Sequence, residues 1–212
     1  GSFVSPELQE TFSDVVYQCP LNGREQSVKI SFIFEHKSKP ESRPHLQLLR
    51  YMLDAWAEQL KHFKQKKQRN KATLNPIIPI LVYQGEETWK KRDLSSYFGE
   101  ELPESLLPYL PQFDYIFTHV TAMSDAQILE LYTGLLVNTF LLMKHIWKPA
   151  YIIQHPHLIF INLDEPRSPE DFIVIMLAYF YKNSELAKET IQRFNQTLPE
   201  TLNQYAMSTY DM

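Results

Sequence analysis

The segment from Ile77 to Tyr83 constrains the fold of this 212-residue chain more than any other part of its sequence. It reads IIPILVY, so both of its faces are apolar, and Gln84 and Gly85 close it. A strand with two apolar faces is typical of a sheet that is covered on both sides by other elements. The chain is therefore predicted to contain an inner strand of a sheet with helices packed against it.

Further segments alternate between strand and helix patterns. Residues 14–37 predict a β-hairpin, because two β-rich runs flank the turn signal Asn22-Gly23. A long helix is predicted to begin near His45 and to end at Asn75-Pro76. The later predicted segments are a strand at 113–120, a helix at 125–147, a Pro-rich connection at 148–167, and helices at 168–181, 185–195 and 199–205.

The helix predicted after His45 carries apolar residues at spacings of three and four, which is typical of an amphipathic helix packed on a core. Its predicted buried residues are Leu49, Met52, Leu53, Trp56, Leu60 and Phe63. Together with the strands, this helix predicts a mixed α/β core that is followed by a helical C-terminal part.

Composition excludes several classes of function. The chain has 21 Lys and Arg against 25 Asp and Glu, a net charge of −4, which excludes a globally basic nucleic-acid binder but not a local basic patch. Its one cysteine, Cys19, allows neither an internal disulfide nor a cysteine-rich zinc site. With 5 Gly against 14 Pro, a Gly-rich phosphate loop is not expected.

The sequence predicts a cytoplasmic protein without a membrane segment. Its longest apolar stretch without charge, Leu131–Met143, is shorter than the roughly 20 residues that span a bilayer. No basic and then apolar signal peptide opens the chain. Gly1-Ser2 has the character of an expression remnant, so the natural protein is expected to continue upstream of Phe3.

Glu35, Lys37 and Asp14 form the pattern that most directly predicts chemistry. Glu35 and Lys37 lie two positions apart on a predicted strand, so their side chains share a face. Asp14 opens the other arm of the hairpin, which brings its carboxylate toward Glu35. Two carboxylates can hold Mg²⁺, and a nearby lysine can position water and stabilise negative charge during phosphodiester hydrolysis. The alternative interpretation of Glu35 and Lys37 is a surface ion pair.

A basic run extends from Lys61 to Lys71, with six Lys or Arg residues and no acid. Clustered cations of this kind bind the phosphate backbone of DNA, although a solvated helix end would have the same composition. The candidate DNA-binding residues are Lys64, Lys66, Lys67 and Arg69. His155 and His157 lack a third ligand nearby in the sequence, so they favour a loop over a metal site.

Asp14, Glu35 and Lys37 also resemble a known sequence signature. Asp14 followed by Glu35-His36-Lys37 resembles the Asp…(Asp/Glu)-x-Lys signature of the PD-(D/E)XK nuclease superfamily. Gln47 and Tyr51 match the Gln-x-x-x-Tyr helix motif of its RecB-like branch. The resemblance implies a restriction-endonuclease-like core, a mixed sheet flanked by helices, over residues 3–122.

Longer runs resemble one family more specifically. The run FIFEHKSKP…PHLQLLRYMLDAW is similar to the recombination-promoting nuclease family, which is also labelled putative transposase, YhgA-like. The run NPIIPILVYQGEETW resembles that family's Pro-Ile-Val-x-Tyr-His-Gly…Trp stretch, with Gln84 where His is common. This resemblance is strong over residues 10–90 and weak elsewhere. Residues 123–212 are expected to form a mainly helical extension packed on the core.

The resemblance also implies roles for individual residues. The implied catalytic residues are Asp14, Glu35, Lys37 and Gln47, with Glu10 and Tyr51 as possible accessory groups. The implied cofactor is Mg²⁺, or else Mn²⁺ or Ca²⁺. Its ligands would be Asp14, Glu35 and the backbone carbonyl of His36.

The function that follows from this resemblance is a metal-dependent DNA endonuclease linked to DNA recombination or mobile elements, and a homodimer would suit the cutting of two strands. Two alternatives stay open at this point. One is a catalytically inactive module that keeps the nuclease fold and binds DNA or protein. The other is a DDE transposase, which needs three dispersed acids on an RNase H-like fold and has no need of Lys37.

Overall fold

The computed structural model describes residues 16–20, 29–65, 73–99, 102–131, 134–159 and 170–198, together with positions 200, 202, 203 and 206. The strands are β1 (Val16–Pro20), β2 (Lys29–Lys37), β3 (Ile77–Tyr83) and β4 (Ile116–His119). The helices are α1 (Pro44–Gln65), α2 (Asp125–Leu129), α3 (Gly134–His145), α4 (Pro149–Gln154), α5 (Pro156–Ile159), α6 (Glu170–Asn183) and α7 (Lys188–Thr197). Short 3-10 turns lie at Leu94–Phe98, Glu104–Tyr109 and Val120–Ala122. The chain divides into two compact units, Gly1–His119 and Val120–Met212.

The first unit is built on a mixed four-stranded sheet with the strand order β1-β2-β3-β4. β1 and β2 are antiparallel, with Val16 opposite Ile33, which confirms the predicted antiparallel pairing. β3 runs parallel to β2, with Leu81 beside Glu35, and β4 runs parallel to β3. Parallel neighbours need a crossover connection, and α1 supplies it between β2 and β3. The predicted α/β class is confirmed.

β3 lies between β2 and β4, as its apolar sequence predicts. Ile77, Pro79, Leu81 and Tyr83 are buried, and the residues between them are half-buried. The face of β3 that carries these four residues packs against α1, where Leu48 joins Leu81 and Tyr83 in one apolar cluster. The sheet is therefore covered more completely on this face than on the other.

The buried face of α1 matches the predicted one only in part: Met52 is buried as predicted, and Trp56 packs against the core. Its buried residues between Pro44 and Ala55 are Pro44, His45, Leu48, Tyr51, Met52 and Ala55. The predicted buried positions Leu53 and Leu60 are wrong, since these side chains are 55% and 42% exposed. Successive helical residues are rotated by about 100°. The face centred on Leu48, which meets the sheet, therefore turns Leu53 away from it.

β4 is shorter than the predicted strand at 113–120. Both backbone groups of Tyr115 are bonded to side chains: its N–H donates to Asp114 Oδ1 at 2.7 Å, and its carbonyl accepts from Lys91 Nζ at 2.7 Å. These bonds replace the ladder, so pairing with β3 begins at Ile116. Tyr115 is nevertheless buried in the cluster of Leu48 and Leu81.

Two predictions in the C-terminal half were wrong in extent. The helix predicted at 125–147 forms two helices, α2 and α3, and Gly134, a weak helix former, lies at the start of the second. The predicted connection at 148–167 contains α4 and α5. Pro149 and Pro156 begin these helices, since proline is tolerated in the first turn, where its missing N–H is not needed.

The second unit is helical in the described ranges. Ser124 caps α2 through a capping box with Gln127, which satisfies two backbone N–H groups at the helix start. Phe180 of α6 and Phe194 of α7 are buried, with ring centroids 5.2 Å apart. Across the part of the chain that the structure describes, no helix is both long enough and apolar enough to cross a membrane.

Candidate active site

The candidate site lies on the face of β2 that packs against α1. Because side chains alternate along a strand, Ser31, Ile33, Glu35 and Lys37 point to this face. Ile33 is fully buried in an apolar cluster with Met52 of α1, and Glu35, two residues later, is only 3% exposed. Lys37 ends the strand with 21% of its side chain exposed. The face thus passes from the core to the surface within five residues of one strand.

The carboxylate of Glu35 has two different oxygens. Oε1 lies 2.7 Å from Lys37 Nζ and accepts a hydrogen bond of 2.9 Å from Gln47 Nε2. Oε2 is buried and has no hydrogen-bond partner within the described ranges. A buried carboxylate is costly unless it is paired and hydrogen-bonded. Oε1 meets this need, and Oε2 is left available for a further donor or a cation.

Gln47 connects α1 to this carboxylate. Its Nε2 also lies 2.5 Å from Tyr51 Oη, one helical turn further along α1. One amide nitrogen carries two hydrogens, so Gln47 can donate to Glu35 and to Tyr51 at once. Tyr51 is itself buried in the cluster of Ile33 and Met52. The orientation of Gln47 is therefore fixed by the packing of the helix on the sheet.

His36 lies on the opposite face of β2 from Glu35 and Lys37. Burial lowers the pKa of His36, although a side-chain hydrogen bond with Gln84 and the charge of Glu35 act in the opposite direction. The backbone N–H of Gln84 donates to the carbonyl of Lys37 at 3.0 Å. Gln84 therefore holds the end of β2 against the end of β3. The hydrogen bond of the His36 side chain with Gln84 therefore supports a structural role for His36.

The carboxyl ends of the parallel strands meet beside Gly85. A Cβ atom at position 85 would lie 2.3 Å from Tyr83 Oη and 2.4 Å from the carbonyl oxygen of Ser38, so only glycine fits. His119 Nε2, at the end of β4, lies 3.3 Å from the carbonyl oxygen of Gly85. No sequence motif marks His119. Its place beside Gly85 follows only from the pairing of β4 with β3.

Several predicted site residues lie outside the described residues. These are Glu10, Asp14, Lys66, Lys67 and Arg69. Lys64 belongs to α1, but only the backbone of this residue is described. Of the predicted catalytic residues, the structure brings together Glu35, Lys37 and Gln47. Among the described residues there is no group of three His, Cys, Asp or Glu side chains arranged to hold a metal ion. His155, between α4 and α5, and His157, within α5, therefore belong to no such group among the described residues.

A second charged cluster lies in the second unit. Asp125 accepts from Lys144 Nζ at 2.5 Å and from Tyr151 Oη at 3.1 Å, and both its oxygens lie within 3.1 Å of His145 Nε2. The rings of His145 and Tyr151 stack at 4.0 Å. The cluster ties together α2, α3 and α4, so its contacts are those of a structural network. No sequence motif marks it, because Asp125 is 19 to 26 residues away from the other members.

Residues 1–168 match the family described as "Putative transposase, YhgA-like". The chain is 31% identical over 88 residues to Recombination-promoting nuclease RpnC of Escherichia coli (strain K12). The matched segment covers 42% of this chain and 26% of that protein, so the chain spans about a quarter of the length of this relative. No solved structure matches the chain significantly.

Proposed function

Because this chain belongs to the family described as "Putative transposase, YhgA-like", we propose that it is a divalent-metal-dependent endonuclease that hydrolyses phosphodiester bonds of DNA in recombination or in the movement of mobile elements. The similarity to a recombination-promoting nuclease supports the nuclease class. The site on β2 and α1 supports the chemistry.

One observation carries the proposal: the two oxygens of Glu35 have different environments. Lys37 and Gln47 hold Oε1, and Oε2 is buried without a partner in the described ranges. A surface ion pair would leave both oxygens in water. Carboxylates that bind a metal are typically held in one orientation by hydrogen bonds from neighbouring groups. Glu35 matches this arrangement, because Oε1 is held by donors and Oε2 could bind a cation.

The donor set fits a hard cation. Carboxylate and carbonyl oxygens are the ligands that Mg²⁺, Mn²⁺ and Ca²⁺ prefer. Glu35 offers Oε2, and we propose Asp14 and the carbonyl of His36 as further ligands. The register that pairs Val16 with Ile33 would pair position 14 with Glu35 if it continued for two more residues, and residues opposite each other share a face. A divalent ion bound there would lower the pKa of a coordinated water and stabilise charge on the phosphate.

The other residues would act on the substrate and on Glu35. Lys37, at the partly exposed end of the strand, would place its ammonium against the phosphate and orient the attacking water. Gln47 would keep the Glu35 carboxylate in one orientation, and Tyr51 would hold Gln47. In this proposal Gln47 and Tyr51 are positioning residues, because Gln47 touches Glu35 and Tyr51 touches Gln47.

DNA would be held by charges outside this cluster. The candidate contacts are Lys64, Lys66, Lys67 and Arg69. In the sequence they come just after the part of α1 whose side chains are described. They would bind phosphates without reading sequence. A homodimer would place two such sites on the two strands of a duplex, and we propose this assembly only as a consequence of cutting both strands.

Plasmid cutting tests the proposal. Lys37→Ala and Glu35→Gln are expected to lose Mg²⁺-dependent nicking while they retain DNA binding in a gel-shift assay. Lys182→Ala, which removes an exposed lysine on α6, is the matched control and is expected to cut like the wild type. Unchanged cutting by Lys37→Ala would refute the site. A wild type that binds DNA and cuts none under any of the three metals would favour the inactive binding module.

A further inference from the structure

A polar cleft of about 340 Å³ lies at the start of α1. Its lining residues are Ser42, Arg43, Arg92, Ser96 and Tyr97. No carboxylate lines it, and neither arginine forms an ion pair with any residue that the structure describes. The residues that line the cleft therefore bring together two guanidinium groups and three hydroxyl groups.

Two acids are adjacent to this cleft along the chain: Asp93 follows Arg92, and Glu41 precedes Ser42. Glu41 Oε1 accepts from Ser42 Oγ and from the backbone N–H of Arg43, each at 3.4 Å. These contacts occupy the carboxylate with a hydroxyl and a backbone group instead of a guanidinium. The lining residues themselves carry the two positive charges of Arg43 and Arg92, and the carboxylates of Glu41 and Asp93 are not part of the lining.

A neutral pair holds the two sides of the cleft together. Tyr97 Oη lies 2.9 Å from Nδ1 of His45, which is 2% exposed in the first turn of α1. Burial lowers the pKa of His45 and raises the pKa of Tyr97. Both groups therefore stay uncharged near neutral pH, so Arg43 and Arg92 are the charged residues of the lining. The contact fixes the segment of Arg92 against the helix that follows Arg43.

The cleft lies at the start of the helix that carries Gln47. Arg43 directly precedes α1, and Gln47, which touches Glu35, is four residues further on. Four helical residues rise by about 6 Å. Along a DNA duplex each nucleotide of one strand advances by about 3.4 Å. The separation along α1 therefore corresponds to about two nucleotides.

We infer that the cleft between Arg43 and Arg92 binds a phosphate group of the nucleic-acid backbone, about two nucleotides from the bond that is cut. This inference rests on the proposed function. Arginine pairs with phosphate through two parallel N–H groups, so Arg43 and Arg92 would supply the contacts. The hydroxyls of Ser96 and Tyr97 are already hydrogen-bonded, to the Asp93 carbonyl and to His45. Such a contact fixes the register of the strand across Glu35 and carries no sequence information.

The test compares two double variants with equal loss of charge. Arg43→Gln with Arg92→Gln empties the cleft of guanidinium groups. Arg50→Gln with Arg193→Gln removes two exposed arginines from α1 and α7 and is the control. Binding of a fluorescein-labelled duplex is measured by anisotropy in EDTA, which prevents cutting, at a series of salt concentrations. Matching melting curves show that both variants fold.

The cleft variant is expected to bind the duplex at least about tenfold more weakly at low salt, with a slope of log affinity against log salt that is smaller by about one. The control is expected to keep most of the wild-type slope. An unchanged slope in the cleft variant, or an equal loss in the control, would overturn the inference. So would a wild type that binds no duplex.

A second arm separates the two sources of a phosphate group. Inorganic phosphate is titrated calorimetrically into the wild type and the cleft variant. Binding that the cleft variant loses while it keeps full duplex affinity would assign the cleft to a small phosphate compound and overturn the nucleic-acid assignment. The proposed function fails separately: if Lys37→Ala still cuts but the slope changes as expected, the phosphate contact stands and the catalytic assignment does not.

Discussion

Gln47 donates to Glu35 across 2.9 Å, and this contact joins the first turn of α1 to the end of β2. Tyr51 shares the same amide nitrogen, so the orientation of Gln47 depends on helix packing. Gln47→Ala is expected to lower Mg²⁺-dependent cutting about 10- to 100-fold, the usual loss when a group that orients a metal ligand is removed. The rate is measured by plasmid nicking under single-turnover conditions.

The matched control for this change is Gln192→Ala, which removes an exposed glutamine from α7. It is expected to cut at the wild-type rate. A Gln47→Ala variant that folds and cuts like the wild type would show that the orientation of Glu35 does not depend on this hydrogen bond.

The ion pair of Glu35 and Lys37 predicts a non-additive effect on stability. Lys37→Met leaves the carboxylate, 3% exposed as a residue, without its cation, and is expected to cost about 2 kcal/mol of unfolding free energy, less than a fully buried pair because Lys37 is partly exposed. Adding Glu35→Gln removes the uncompensated charge and is expected to restore part of this loss. Denaturant unfolding of the two single variants and the double variant measures the coupling. Purely additive losses would contradict a paired, desolvated site.

Metal binding predicts a shift in stability that does not depend on cutting. Mg²⁺ or Mn²⁺ is expected to raise the melting temperature of the wild type, because a ligand that binds only the folded state stabilises it. Asp14→Asn and Glu35→Gln are expected to lose this increase, whereas Asp54→Asn, which alters a partly exposed carboxylate paired with Arg50, is expected to keep it. An Asp14→Asn variant that keeps the full shift would remove Asp14 from the ligand set.

The Asp125 cluster predicts that acid destabilises the second unit. Burial, together with the charges of Lys144 and Lys148, lowers the pKa of His145 against the opposing effect of Asp125. Near pH 6.5 the unfolded state therefore binds more protons than the folded state, and the unfolding free energy falls as the pH falls through this value. Burial raises the pKa of Asp125, but the hydrogen bonds and charges of Lys144 and His145 together bring it below its usual value. The stability that Asp125 contributes is therefore lost only in stronger acid.

His145→Gln is expected to reduce the fall in melting temperature between about pH 7.5 and pH 5.5. It will not abolish the fall, because burial also lowers the pKa values of His36 and His45. Equal pH dependence of the wild type and the variant would show that His145 titrates normally in the folded chain.

Sequence periodicity was sufficient for the strands and insufficient for the helix. The two-residue spacing of Glu35 and Lys37 placed them correctly on one face, because strands have a period of two. Apolar residues in α1 occur on several faces, so the pattern did not show that Leu48 would meet the sheet and Leu53 would not. Only packing against β2 and β3 decides this.

Contacts between distant segments could not be read from the sequence. The resemblance implies Gln47 as a catalytic residue, but its bond to Oε1 of Glu35 depends on how α1 crosses the sheet. Arg43 and Arg92 are far apart in the chain and belong to no shared motif, so the cleft that they line appears only in three dimensions. Tyr97 and His45 bring their segments together.

The close approach at Gly85 links the evolution of three positions. A side chain at 85 would occupy the space of the Tyr83 hydroxyl and of the Ser38 carbonyl oxygen. Relatives that replace this glycine should therefore carry a smaller residue at the position of Tyr83 or a changed loop after Lys37. Substitutions at these sites should be inherited together, because a side chain at 85 alone would push the loop after Lys37 away from the end of β3.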